Sequence, residues 1–191
     1  MNFRKIIYII ILPTLLFISS CAKDSKYIKY LQTQIYNCNF EQNEAEFFTF
    51  EDKNNDEVTW SAVCENIDDY NNNECIEYSE NYNKNADDWA FTPDEQIYLN
   101  ANSVYNLSFS TKCSDNKHSE RIEVKCGQSQ SSSSMKISIM EATTISSESW
   151  KTYTNSFSVV NSGYYYIGFH AISYANKREL LVDNIKVTKI Y

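Results

Sequence analysis

Glycine and proline are almost missing from this chain, with three of the first and two of the second in 191 residues. No G-x-S-x-G elbow is present, so the sharp turn that exposes a nucleophilic serine in many hydrolases is excluded. Histidine is as scarce. His118 sits among Asn116, Lys117, Ser119 and Glu120 and reads as a solvated loop residue. His170 alternates with Tyr164, Tyr166 and Ile172 on one strand face, as a packed or rim residue and the better candidate for a ligand contact. For His118 no partner is in sight that would make it a base. No cysteines stand at C-x-x-C spacing, which argues against a zinc site. The acids Asp87 and Asp88 are adjacent, so on a strand they point to opposite faces and cannot flank one glycosidic bond. Lys and Arg number 17 against 25 Asp and Glu, a balance unsuited to nucleic acid or anionic lipid. The chain reads as non-enzymatic.

Long apolar runs are missing too. Ile6 to Ile18, interrupted by Pro13 and Thr14, falls short of the roughly twenty residues that cross a bilayer core. Arg4 and Lys5 precede the run, and Ile18-Ser19-Ser20-Cys21 closes it. A basic start, a short apolar segment and small residues before a cleavage point make a signal peptide. Ending directly on cysteine, this one resembles a bacterial lipoprotein signal. The resemblance implies that residues 1–20 are removed and that Cys21 carries diacylglyceryl and N-acyl chains, a firm anchor where one chain alone holds only marginally. Ala22 after the cysteine then implies the outer membrane. Losing residues 1–20 removes two basic side chains and takes the net charge from −8 to −10. Residues 21–35 read as a lipid-anchored tether, reaching at most about 50 Å.

From Tyr36 onward the pattern has period two. Glu57 to Val63, Val104 to Thr111, Arg121 to Cys126, Met135 to Met140, Trp150 to Val159, Gly163 to Ile172 and Leu180 to Ile190 alternate apolar with polar residues and are rich in Tyr, Ile, Val, Thr and Phe. With so little glycine, asparagine takes over the turns at Asn54-Asn55-Asp56, Asn71-Asn72-Asn73, Asn100-Ala101-Asn102 and Asn161-Ser162-Gly163, since its side chain tolerates the left-handed region. Ser129 to Ser134 reads as a short low-complexity loop. Roughly ten antiparallel strands over residues 36–191 predict a single all-β jelly-roll sandwich.

Five cysteines remain beside Cys21. Cys64 and Cys75 flank a polar loop between two strand-like runs and are the expected disulfide; Cys126 continues the alternation of Ile122 and Val124 as a buried thiol, and Cys38 and Cys113 have no assigned role. Asp52, Asn54 and Asp56 bring hard oxygen ligands into one turn, a candidate calcium site without the EF-hand pattern. Asp183 lies inside the apolar run Leu180 to Ile185, where a carboxylate requires hydrogen bonds or a cation, and is a second candidate. Tyr70, Tyr78 and Tyr82 lie in an Asn-rich stretch and are candidate stacking surfaces for a sugar ring.

Several segments together resemble cleaved-adhesin, or choice-of-anchor J, domains: Asp87-Asp88-Trp89-Ala90-Phe91-Thr92-Pro93, Tyr105 to Phe109, Glu120 to Val124, Tyr165 to Ala171, and Leu181 to Ile185. Asn54-Asn55-Asp56 before Thr59-Trp60 is similar to the family's entry motif, with Glu57 where the family has glycine. The resemblance implies a jelly roll related to MAM and galactose-binding-like modules, a place on bacterial surfaces, and structural calcium at Asp52, Asn54, Asp56 and Asp183. The function expected is a surface lipoprotein that binds glycan or extracellular protein. The alternative is an accessory lipoprotein of an outer-membrane assembly.

Overall fold

The structure is a computed structural model that describes residues 32–41, 43–64 and 74–191, with Cys64 described by its backbone alone. Cys21, the signal segment and Tyr70 lie outside the described residues. Twelve strands are present among those described: β1 (Gln32–Cys38), β2 (Thr49–Asp52), β3 (Trp60–Cys64), β4 (Glu74–Tyr78), β5 (Asp88–Phe91), β6 (Ile97–Leu99), β7 (Val104–Cys113), β8 (Glu120–Gly127), β9 (Ile137–Ile145), β10 (Lys151–Ser158), β11 (Gly163–Ala171) and β12 (Leu180–Ile190). All pairings are antiparallel and build two sheets, β10-β7-β12-β4-β3 with β1 on β12, and β2-β5-β11-β8-β9 with β6 on β11. This is the all-β jelly-roll sandwich expected.

Period-two sequence produces the long strands directly. In β7, Tyr105, Leu107, Phe109, Thr111 and Cys113 are buried, while Asn106, Ser108, Ser110 and Lys112 face outward. Phe109 meets Phe169 of the opposite sheet at 5.3 Å between ring centres, and Trp60 packs edge-on to Tyr78. Trp60 also crosses the sandwich by donating its indole N–H to the Asp88 carbonyl at 3.0 Å. The centre of each sheet is one late strand: β11 pairs along one edge with β8 and shares its other edge between β6 and β5, and β12 does the same with β7, β1 and β4.

Several expectations shift. The sandwich begins at Gln32, so the last residues of the predicted tether are strand. Its first long alternation starts at Trp60 rather than Glu57, because the residues before it form a turn. Asparagine does replace glycine: Asn43, Asn55, Asn102, Asn176 and Asn184 have positive φ, and no glycine does. Two of the three glycines serve close approach instead, as described below. Cys38, Cys113 and Cys126 are buried free thiols, and burial pushes both Cys38 and Cys126 up to about 12. The β3–β4 hairpin sets Cys75 opposite Val63 and Cys64 opposite Glu74. The Cys64 side chain lies outside the described residues, and with it the proposed pairing to Cys75.

Glu120 is an unusual core residue: fully buried, it accepts the Arg178 N–H at 2.7 Å through Oε1 while Oε2 is unpartnered. Burial raises its pKa to about 7. An unfolded glutamate releases its proton near pH 4.3, so between there and about pH 7 the folded state holds a proton the unfolded state has lost. That contribution to stability is present at low pH and fades as pH rises through the window. Glu120→Gln should therefore flatten the change in melting temperature between pH 5 and pH 8, gaining on the parent protein at pH 8. A slope identical to the parent's contradicts this reading.

Candidate functional site

The β2–β5 register places Asp52 directly opposite Asp88. Two carboxylates facing each other across paired strands repel, so the arrangement requires a compensating charge or proton. The turn after β2 adds a third: carboxylate oxygens of Asp52, Asp56 and Asp88 all lie within 4.8 Å of one another. At that separation each ionised pair repels by about 3 kcal/mol at an effective dielectric of about 20. Asp88 is fully buried, and burial, followed by the charges of Asp56 and Asp52, raises its pKa to about 7.

Hydrogen bonds shape the turn into an oxygen-lined cup. Asp52 accepts the N–H groups of Asp56 (3.1 Å) and Glu57 (2.9 Å), and Asp56 accepts that of Val58 (3.0 Å). The other Asp56 oxygen accepts the amides of Asn54 and Asn81, each at 2.8 Å. Asn54 also donates to the Asn85 carbonyl at 2.9 Å, which turns its Oδ1 away from those partners. Asn54 Oδ1 and Asp88 Oδ1 are then buried without a hydrogen-bond donor. Orphaned buried acceptors beside clustered carboxylates are the donor set a hard cation takes. The Asp52, Asn54 and Asp56 expected from sequence are brought together here, and Asp88 joins them.

Asp183 does not. It stands opposite Ser110, on the outward side of the other sheet, at the bulge where β12 changes partner from β4 to β1. Its carboxylate accepts the backbone N–H and the side-chain amide of Asn184, whose φ is 53°. That bulge explains a carboxylate in an apolar strand.

The outward side of the β2-β5-β11-β8-β9 sheet carries a second cluster. Trp89, Phe91, Tyr166 and Met135 pack together there, apart from the main core. His170 stacks on Trp89 at 4.0 Å and 12°, with its Nδ1 at 2.7 Å from Glu123 and its Nε2 at 2.7 Å from Asp87. Asp87 and Asp88 thus face opposite ways, as the strand rule required, one toward His170 and the other into the cup. His118 stays in the β7–β8 hairpin as expected, but it is not without a partner: its Nδ1 lies 2.7 Å from Asp115, three residues before it in the same loop.

The tyrosine expectations divide. Tyr78 is a correction: it is buried against Trp60 in the core and presents no ring to a ligand, and burial with the nearby Asp88 and Asp56 raises its pKa. Tyr82 is 54% exposed, yet its hydroxyl donates to Glu80 at 2.6 Å and accepts from Arg178 at 2.9 Å. His170 is buried by its stack and two carboxylates. Asp88 and Trp89 are the residues beside the cup and the ring stack that sequence reading missed as site components, and the Asp-Asp-Trp motif was the available signal for both.

Residues 32–164 match a family model described as a carbohydrate binding domain. No curated protein matches the chain by sequence. Among solved structures, the K3 cleaved adhesin domain of Lys-gingipain from Porphyromonas gingivalis superposes with a TM-score of 0.63 at 16% identity, over 82% of this chain and 98% of that one. The CBM22-1 xylan-binding domain of Paenibacillus barcinonensis Xyn10C gives 0.60 at 11%, over 83% and 95%. The CBM22-1–GH10 modules of Clostridium thermocellum xylanase 10B, solved with xylohexaose, give 0.57 at 12%, over 82% of this chain and 28% of that one. These likenesses are of fold.

One residue of the cup is under visible backbone strain. Glu57 has φ 68°, the left-handed conformation that glycine adopts freely, at the position where the cleaved-adhesin motif has glycine. Glu57→Gly should keep the Asp52 hydrogen bond and stabilise the fold by roughly 1 kcal/mol, measured by chemical denaturation. A loss of stability contradicts the assignment of strain.

Proposed function

The chain belongs to the carbohydrate-binding domain family, and on that premise we propose that it is a non-enzymatic glycan-binding module of the bacterial cell surface. The observation that carries this reading is the family match over residues 32–164, which spans the sandwich from β1 into β11. The xylan-binding domain named above and the adhesin domains share the fold at 11–16% identity.

In this reading Cys21 carries the lipid and residues 21–31 hold the sandwich close to the outer membrane. The partner is then glycan at or near the cell's own envelope.

Calcium belongs to the same proposal. The carboxylates of Asp52, Asp56 and Asp88 and the amide oxygen of Asn54 would hold it, since hard oxygen donors suit Ca²⁺. A bound cation supplies the positive charge that lets three clustered carboxylates stay ionised. The protein's own part is to tie the turn after β2 to β5, and so to set the edge of the sheet whose outer side carries Trp89. Asp183 is left out of the set because its oxygens serve the Asn184 bulge.

Two measurements test this. EDTA should lower the melting temperature by several degrees and excess Ca²⁺ should restore it, as binding to the folded state alone requires. Asp88→Asn should abolish that response; a melting curve indifferent to both reagents removes calcium from the account. A glycan array should show saturable binding by the folded protein, and a blank array from protein with an intact melting transition contradicts the glycan reading.

A further inference from the structure

The aromatic centre of the outward side of the β11-centred sheet is closed by the chain itself. The segment after β8, Gln128–Lys136, folds back over the sheet with Ser132–Ser134 in a 3₁₀ turn. Glu51 on β2 clamps it by accepting the Ser132 N–H (2.8 Å) and hydroxyl (2.7 Å), and Gln130 donates to the Thr92 carbonyl at 3.0 Å. Ser134 Oγ accepts from Gln128 and Ser129 at 3.1 and 3.0 Å.

Two of the three glycines exist for this seating. A Cβ on Gly127 would stand 2.4 Å from the Ser134 carbonyl oxygen, and one on Gly168 would stand 2.9 Å from Met135 Sδ and 3.0 Å from the Trp89 ring. Both strands are bare where the segment crosses them. In a chain that otherwise dispenses with glycine, this makes the cover a fixed part of the fold. Trp89, Phe91 and Tyr166, at 3%, 0% and 9% exposure, are closed off beneath it.

The same outward side stays open at one end. Along β11, Tyr164, Tyr166, Gly168 and His170 point the same way, and Tyr164 lies at the end away from His170. The register sets Tyr98 of β6 directly beside it. Their rings meet at 5.2 Å and 82°, and each residue is 47% exposed. Tyr166, the next outward residue on β11, donates its hydroxyl to Asp94, which places a carboxylate on the flank, and Glu95 follows it in sequence.

We propose that the Tyr98–Tyr164 corner is the glycan-binding site of this chain and that it takes one terminal, uncharged pyranose. The inference rests on the carbohydrate-binding reading above and adds the site and the class of sugar. A pyranose lays its C–H face on one exposed ring, as apolar surfaces stack on aromatic faces. The second ring stands at a right angle beside it and acts as a wall. An L-shaped corner holds the end of a saccharide, and along β11 the covered Tyr166 and Trp89 leave no open bed for the sugars behind it. The two phenol hydroxyls supply donors and acceptors for sugar hydroxyls. Asp94 and the net charge of −8 disfavour sialylated, sulfated and uronic-acid termini.

The test uses the mature chain on a glycan array, with hits followed by calorimetric titration of the matching methyl monosaccharide and its longer oligosaccharides. Tyr98→Ala and Tyr164→Ala should each weaken binding about tenfold or more, the scale of a lost aromatic contact, with unchanged melting temperatures since both side chains are half-exposed. The methyl monosaccharide should bind within about threefold of the oligosaccharide, and capping the terminus with sialic acid should abolish binding. Glycan binding that survives both alanine variants, or affinity that climbs with every added sugar, overturns the corner site while leaving the glycan reading intact. A folded wild-type chain that binds nothing on the array overturns both.

Discussion

The rest of the structure depends on a repulsion. Pairing β2 with β5 in the register that packs Phe50 against the core and buries Ala90 forces Asp52 and Asp88 face to face, and the turn that follows adds Asp56. A one-residue slip would not relieve this without turning every side chain of the strand to the other face. The fold therefore requires either a proton, which the raised pKa of Asp88 reflects, or a cation. In the proposed reading calcium would meet that requirement, held by the carboxylates clustered there. From β5 the consequences extend to both sides: inward to Trp60, which bonds to the Asp88 carbonyl, and outward to Trp89 and His170.

The outer side of that sheet follows a second constraint, the scarcity of small residues. Left-handed positions among the described residues go to five asparagines and to Phe40, Glu57 and Glu95, and none to glycine, which at Gly127 and Gly168 serves close approach instead. Gly127 and Gly168 admit the serine-rich segment and Met135 onto the sheet, which closes the aromatic centre and leaves the tyrosine corner open. Composition thus bears on ligand geometry through packing.

What was readable in advance divides along strand length. Strands of eight to eleven residues such as β7, β8 and β12 show their alternation plainly, and the architecture follows from them. β2, β5 and β6 have only three or four residues, too few for a period to register, yet they carry Asp52, Asp88, Trp89 and Tyr98. Tyr78 was misjudged for the same reason: its five-residue strand sits among Asn and Glu, and only pairing with β3 and β12 reveals its burial against Trp60. Asp52, Asn54 and Asp56 were visible because they share one turn. Asp88 was not, since what joins it to them is sheet register, a contact across 36 residues of sequence.

The central claim is that clustered carboxylates in this sandwich are a cation site and that the sheet edge depends on it. The most direct measurement is the metal content of natively purified protein, determined by elemental mass spectrometry after exhaustive dialysis without chelator. The account predicts one calcium per chain, reduced to background when Asp52 and Asp56 are replaced by asparagine. A folded wild-type chain free of calcium, and unable to take it up from a calcium-containing buffer, would contradict it.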